Sequence, residues 1–392
     1  MVNSGEFGAE NLPRKMIYLD NNATTPLAPG VAETMAEALR TFGNPSSAHA
    51  AGAGAKPIVE NARESVAAFL GAREPAEIAF TSGGTESDNW AILGALEADR
   101  EKRRIVTTRV EHEAVRKLCE KLEREGSDVV WLDVDEFGRL NLDRFRDSLT
   151  PDTAIVSVMM ANNETGVVFP VAEIARIVKE HSDALVHVDG VNAAGKIPID
   201  LKSTEIDLFS ISAHKFHGPK GIGALYIRDG VHLPPFLIGG GQESGRRAGT
   251  EAVHQIAGIG AAAGYAADLS PMETVRELRD RLETEILGSI PGTYINGDRE
   301  SRLPNTSNVS FDGLNGEMIL HELDHAGICV STGSACHSGS HASSPVLQAM
   351  NLPYSRAMGS IRFSLGRSNT ADEIDEMIGV VKRAAMELRK LV

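Results

Sequence analysis

Only three of the 392 residues are cysteine, two are tryptophan and five are tyrosine. Three cysteines cannot build a disulfide framework, so a reducing, cytoplasmic setting is expected. No apolar run reaches the ~18 residues that a membrane span needs. Positive charge is also short: 39 Lys and Arg against 54 Asp and Glu leave a formal charge of −15. Nucleic-acid binding requires a basic footprint, and none dominates here. The run Glu101-Lys102-Arg103-Arg104 reads as a solvated helix end. The start, MVNSGEFGAENLPRK, lacks the apolar stretch of a secretory signal. Residues 1–15 read as a polar tail that need not be native, and the fold is argued without them. What is present is an ordinary 42% hydrophobic content, in a chain too long for one simple core.

Short β-rich runs alternate with helical patterns from about residue 55 to 265. The strand candidates are Ile78–Thr81, Ile105–Thr108, Val129–Leu132, Ala154–Met159, Leu185–Val188, Leu208–Ser212 and Gly223–Ile227. Helix-length segments such as Ala114–Arg124 and Val171–His181 separate most of them. This alternation predicts an α/β fold with a mainly parallel sheet covered by helices on both faces. After the Gly-rich tract Gly239–Gly249 and a small-residue helix near Ala257–Ala267, the texture becomes α+β. Strands are expected at Asn308–Phe311, Gly327–Val330 and Ile361–Leu365, and helices at Thr274–Ile286, Gly316–Ala326 and Ala371–Lys390. A domain boundary is placed near residue 265.

Three features carry chemistry. Lys215 lies in Ser212-Ala213-His214-Lys215-Phe216-His217-Gly218-Pro219, just past a buried strand and hemmed by small residues. A partly desolvated lysine there can form a Schiff base with a carbonyl, although a plain loop lysine is the simpler alternative. Asp189 ends the preceding strand, so a parallel sheet brings both strand ends to one edge. A carboxylate in that place can keep a pyridine nitrogen protonated, or merely cap the next helix. Thr81-Ser82-Gly83-Gly84-Thr85-Glu86-Ser87 precedes the helical Asn89–Leu96, and its small residues suit a phosphate at a helix N-terminus. It is neither a Walker motif nor GxGxxG.

Together these motifs resemble the pyridoxal-phosphate enzymes of aminotransferase class V, specifically the NifS/IscS-type cysteine desulfurases. The resemblance runs from about Ile17 to the C-terminus. It includes Tyr18-Leu19-Asp20-Asn21-Asn22-Ala23-Thr24-Thr25-Pro26, Gly43-Asn44-Pro45-Ser46-Ser47, Glu111-His112, Asn162-Asn163-Glu164-Thr165-Gly166 and Arg246-Arg247-Ala248-Gly249-Thr250. It implies a fold type I transferase with a seven-stranded, mainly parallel sheet in the large domain, residues 29–265. Residues 16–28 and 266–392 would form a smaller α+β domain. It further implies pyridoxal 5'-phosphate held covalently by Lys215, with Asp189 on the ring nitrogen and His112 stacked on the ring and assisting proton transfer. Gly84, Thr85, Ser212 and His214 would hold the phosphate, with Thr250 reaching in from the partner of a homodimer. Asn163 would contact the ring oxygen or the substrate. Where the family usually has glutamine this chain has Asn192, whose shorter amide would reach the ring oxygen at longer range or through water. Arg362, in Gly359-Ser360-Ile361-Arg362-Phe363-Ser364, would bind the carboxylate of L-cysteine with a bidentate fork.

Of the cysteines, Cys119 sits in an amphipathic helical pattern and Cys329 in a short apolar strand, where inert thiols are expected. Cys336 lies in Ser331-Thr332-Gly333-Ser334-Ala335-Cys336-His337-Ser338-Gly339-Ser340-His341, which has no hydrophobic periodicity and reads as an exposed loop. Nearby histidines can help it reach the thiolate. Its position matches the catalytic cysteine of the long-loop subgroup, which would take sulfur as a persulfide and pass it to an acceptor such as an iron–sulfur scaffold protein. His337 and His341 are less usual there, and keep a selenocysteine lyase as an alternative. Two zinc readings compete: a metallopeptidase through His321-Glu322-Leu323-Asp324-His325, and a structural ion on Cys336, His337 and His341. The first lacks a third ligand motif at a familiar spacing and the second lacks a fourth partner, so no metal is expected. A non-enzymatic scaffold would leave Lys215, Asp189 and Cys336 without purpose.

Overall fold

A computed structural model describes residues 16–332 and 343–390. The tail 1–15, Cys336, His337 and His341 lie outside the described residues. All seven expected strands form one sheet. In spatial order they are Ile78–Thr81, Gly223–Ile227, Leu208–Ser212, Leu185–Asp189, Thr153–Met159, Arg104–Thr108 and Asp128–Leu132. Only Gly223–Ile227 opposes its neighbours; the other strands run the same way. Four of the seven are buried along their whole length, as strands covered on both faces must be. The exceptions are edge strand Asp128–Leu132 and those with a half-buried first residue.

The parallel register brings the strand ends Met159, Asp189 and Ser212 to one edge of the sheet. The next segments of chain, with Asn163, Asn192 and Lys215, therefore start side by side. Gly190 continues from Asp189 where there is no room for a side chain: an added Cβ would lie 1.9 Å from the Phe209 ring.

The second part is α+β. Thr306–Phe311 pairs antiparallel with Ser360–Ser364 on one side and Thr293–Ile295 on the other. Helices Pro271–Ser289, Gly316–His325 and Ala371–Leu388 pack around an apolar cluster that includes Ile17, Leu19, Leu282, Val309, Phe363 and Val381. The N-terminal strand Ile17–Tyr18 joins this part by pairing with Ile328–Cys329. The larger core takes its residues from Ala28 to Ala357, including Val346, Leu347 and Met350.

One long helix was not among the elements expected from sequence. Ala50–Leu70 is a 21-residue helix with Pro57 inside it. Its buried face is made of Gly52, Ala55, Val59, Ala62, Val66, Ala67 and Leu70, too small for the usual apolar stripe to stand out. Small side chains serve close approach: a Cβ on Gly260, in helix Val253–Ala266, would sit 2.7 Å from the Ala62 Cα. The helix expected from Asn89 instead spans Gly84–Ala98, so the glycine loop itself forms its first turn.

Overpacking the Gly190 site costs roughly 1–3 kcal/mol. Gly190→Ala is therefore expected to lower the urea unfolding midpoint of the cofactor-free protein. An unchanged midpoint would contradict the close approach to Phe209.

Candidate active site

A cavity of about 510 Å³ opens at the shared strand edge. It is lined by Gly84, Thr85, His112, Asn163, Asp189, Asn192, Ser212, His214 and Lys215, which are nine of the residues singled out from sequence. Two others are placed elsewhere. Thr250 is exposed and does not line this cavity. Arg362 is buried beside it: its guanidinium donates to the Asn163 carbonyl at 3.0 Å and to Asp20 Oδ1 at 2.7 Å. Its buried Nε has no hydrogen-bond partner among the described residues.

Lys215 ends the short turn Ala213–Lys215 that follows strand Leu208–Ser212. Its Nζ donates to the carbonyls of Asn22 and Ala23, at 2.5 and 3.1 Å. The segment after the first strand thus places the lysine, with Thr25 receiving a bond from the His217 N–H at 2.7 Å. Sequence had marked this segment by resemblance only, without assigning it a task.

Asp189 is buried, and its Oδ1 accepts the Val191 N–H at 2.9 Å. Burial first, and then the Asp88 carboxyl, push its pKa up to about 6, against the attraction of His112. His112 caps helix Glu113–Arg124, with Nδ1 accepting the Ala114 N–H at 3.2 Å. That bond leaves Nε2 to carry the hydrogen of the neutral ring. Burial lowers the His112 pKa, opposed by Asp189 and assisted by Lys215, so the neutral form is favoured.

Asp88 was missed in the sequence, where it fell between the glycine loop and the helix expected from Asn89. It lies four residues after Gly84, one turn on, and so faces the same cavity. Its Oδ1 is buried without a hydrogen-bond partner, 3.5 Å from His187 Nε2. His187 is held between Ser157 and Ser210, each at 2.9 Å, and burial lowers its pKa to about 4. Without a cation against it, the Asp88 carboxyl is raised by burial to about 7.

The opposite end of the cavity suits an anion. Helix Gly84–Ala98 begins at Gly83, whose φ of 153° is open only to glycine, and no side chain caps it. A Cβ on Gly84 would come 2.7 Å from the Val191 side chain, so the backbone itself faces the space. The first-turn N–H groups, the Thr85 and Ser212 hydroxyls and His214 surround a volume fit for phosphate. Glu86 also lines this end of the cavity, where it is tied up: burial would raise its pKa, but bonds from Arg247 and the Ser82 N–H lower it.

The competing peptidase centre is not assembled. His321, Glu322 and His325 are exposed on helix Gly316–His325, outside the cavity. Among the described residues no group of three or more potential metal-ligating side chains comes together. The two described cysteines are poor nucleophiles. Burial pushes the Cys119 thiol up to about 12, and it also raises that of Cys329, which is half-buried rather than fully covered.

A raised Asp88 binds its proton in the folded state while the unfolded chain, at an ordinary carboxyl pKa, has lost it. Its contribution to stability is therefore present below about pH 4 and falls as pH rises toward about 7. In the cofactor-free protein, Asp88→Asn is expected to flatten the decline of unfolding free energy across that window. The effect is up to about 1.4 kcal/mol per pH unit. An identical pH slope in variant and wild type would contradict it.

Comparison with known proteins gives the same fold and family. Residues 17–377 match the family aminotransferase class V. The chain is 52% identical over 381 residues to a cysteine desulfurase of Nostoc sp., covering 96% of this chain and 94% of that one. It is 47% identical to the cysteine desulfurase NifS of Azotobacter vinelandii, covering 96% and 94%. Among solved structures, a NifS-like protein superposes with a TM-score of 0.90 at 40% identity, covering 95% of this chain and all of that one. The fold is accordingly that of the fold type I transferases, and no helix among the described residues is long and apolar enough to cross a membrane. The chain belongs to the aminotransferase class V family, whose members depend on pyridoxal phosphate.

Proposed function

We propose that this protein is a cysteine desulfurase, converting L-cysteine to L-alanine and leaving the sulfur as a persulfide on Cys336. The observation that carries the reading is the convergence of Lys215, Asp189 and His112 on one cavity that ends at an uncapped helix N-terminus. The relatives named above supply the substrate. Nothing among the described residues favours selenocysteine, and the exposed His321-Glu322-x-x-His325 offers no peptidase site.

Pyridoxal 5'-phosphate, when bound, supplies an aldehyde for the amine and a ring that accepts the electrons of a broken bond at Cα. The chain's residues fit it. Gly84, Thr85, Ser212 and His214 hold the phosphate. Asp189 would hold the ring nitrogen, whose positive charge would favour the ionised form of this buried carboxyl. Lys215 Nζ would hold the cofactor covalently and, when free, would be the base in place for the Cα proton. His112 covers the ring and donates through Nε2. Asn163 and Asn192 face the ring oxygen, and Arg362 offers its unpartnered Nε edge to the substrate carboxylate.

The sulfur step balances without an added oxidant. The Cys336 thiolate attacks the substrate sulfur and an S–S bond forms as the Cβ–S bond breaks. Cβ keeps that electron pair and takes a proton, becoming the methyl group of alanine. The persulfide then awaits an acceptor thiol, such as that of an iron–sulfur scaffold protein. A reducing cytoplasm suits such a carrier. We further propose a homodimer, because exposed Thr250 follows a loop bearing the exposed Leu237 and Ile238 and has no place in its own chain's cavity. The division into a large domain up to about residue 265 and a smaller one beyond it, joined by residues 16–28, belongs to the same reading.

The test is alanine formed per subunit from L-cysteine without reductant. Wild type should give about one equivalent and stop. Cys336→Ser should bind cofactor and substrate but give none, and Lys215→Ala should lose the covalent cofactor absorbance as well. Undiminished alanine from Cys336→Ser would overturn the sulfur transfer.

A further inference from the structure

Lys196 is a lysine that the chemistry above does not use. It is only 6% exposed, and among the described residues no carboxylate pairs with it. Both of its acceptors belong to Asn192: the backbone carbonyl at 2.8 Å and Oδ1 at 3.4 Å. Asn192 in turn lines the large cavity, and its Nδ2 donates to the Asn162 carbonyl at 3.4 Å.

An asparagine amide presents an acceptor on one side and two donors on the other, and can turn over. A lysine nitrogen beside it decides the matter. The ammonium only donates, and even the neutral amine keeps two hydrogens, enough for both oxygens of Asn192. Oδ1 must then face Lys196, and the NH2 group must face away. One of its hydrogens meets Asn162; the other is left for the cavity. We propose that Lys196 is a positioning residue, fixing the Asn192 amide so that Nδ2 is presented as a donor to the ring oxygen of the bound cofactor. This rests on the cofactor reading given under Proposed function.

The geometry also accounts for the shorter residue at 192. Its amide lies close enough to its own helical turn to be held by the residue four positions on, which a longer side chain reaching into the cavity would leave behind. The cost is a buried amine among cations. Burial above all, and then the charges of Lys215, from the turn after Leu208–Ser212, and Arg362, from Ser360–Ser364, bring its pKa down to about 7. His217 and Arg367 line the same small pocket of about 20 Å³ with Lys196 and Lys215.

The test is the pH midpoint of the absorbance change of the lysine-bound cofactor in the loaded enzyme. A donor on the ring oxygen stabilises its anion and eases loss of the proton shared with the lysine nitrogen. Lys196→Met, which keeps the length but donates nothing, should raise the midpoint by about one pH unit, a tenfold change in the proton equilibrium. In an Asn192→Ala background the same substitution should move it far less. An unchanged midpoint, or an equal shift in both backgrounds, would overturn the positioning role, the latter by leaving only charge acting on Lys215. If Lys196→Met does not fold, Lys196→Gln decides: a midpoint near wild type supports positioning by the retained amide donor, and a full rise contradicts it. Wild type that takes up no cofactor would overturn the cofactor reading and this inference with it.

Discussion

Burying the Asp189 carboxyl at the inner end of the cavity is the constraint around which the site is organised. A carboxylate withdrawn from water is unstable unless a donor or a cation meets it. Here it has one backbone N–H and the half-buried His112, while Asp88 and Glu111, also buried, repel it. No lysine or arginine among the described residues is paired with it. The site is thus short of one positive charge at the place where a protonated ring nitrogen would sit. The uncapped helix N-terminus at the other end is short of one anion. A ligand carrying both charges, as the proposed cofactor does, would satisfy the two together.

The sheet and the N-terminal segment supply the rigidity this needs. Parallel strands deliver Asp189 and Lys215 to one edge, and the apolar layers on both faces leave the backbone no freedom to shift. The segment around Asn22 ties the two cores together. Its carbonyl receives Lys215, its Nδ2 donates to Asn163 and Thr306, and its Oδ1 accepts from Asn305. Asp20, two residues earlier, holds Arg362. The turn that starts at Asp20 therefore sets Lys215 and Arg362 in relation to each other.

Much of this was legible in the sequence, for physical reasons. Strands covered on both faces read as largely apolar runs, as several of these do, and all seven β-rich runs are strands of the large sheet. Lys215, Asp189 and the glycine loop stood out because each breaks from such a strand at the same edge. Helix Ala50–Leu70 did not stand out, because alanine and glycine pack closely without an apolar stripe and Pro57 reads as a break. Asp88 and Lys196 were hidden for another reason. Their importance lies in burial without a charged partner, which depends on which neighbours the fold brings near. Thr250 exposes the limit of a single chain, since its proposed place is in another subunit's cavity.

The central claim is that sulfur leaves cysteine for one particular thiol. Burial disfavours the thiolates of Cys119 and Cys329, and the proposal assigns the reaction to Cys336. The direct measurement is peptide mass analysis of the cofactor-loaded protein after L-cysteine without reductant, with persulfides trapped by alkylation. One added sulfur atom on the peptide bearing Cys336, and none on those bearing Cys119 or Cys329, is the predicted result. Added sulfur on either of those two peptides, or alanine formed with no protein-bound sulfur at all, would contradict it.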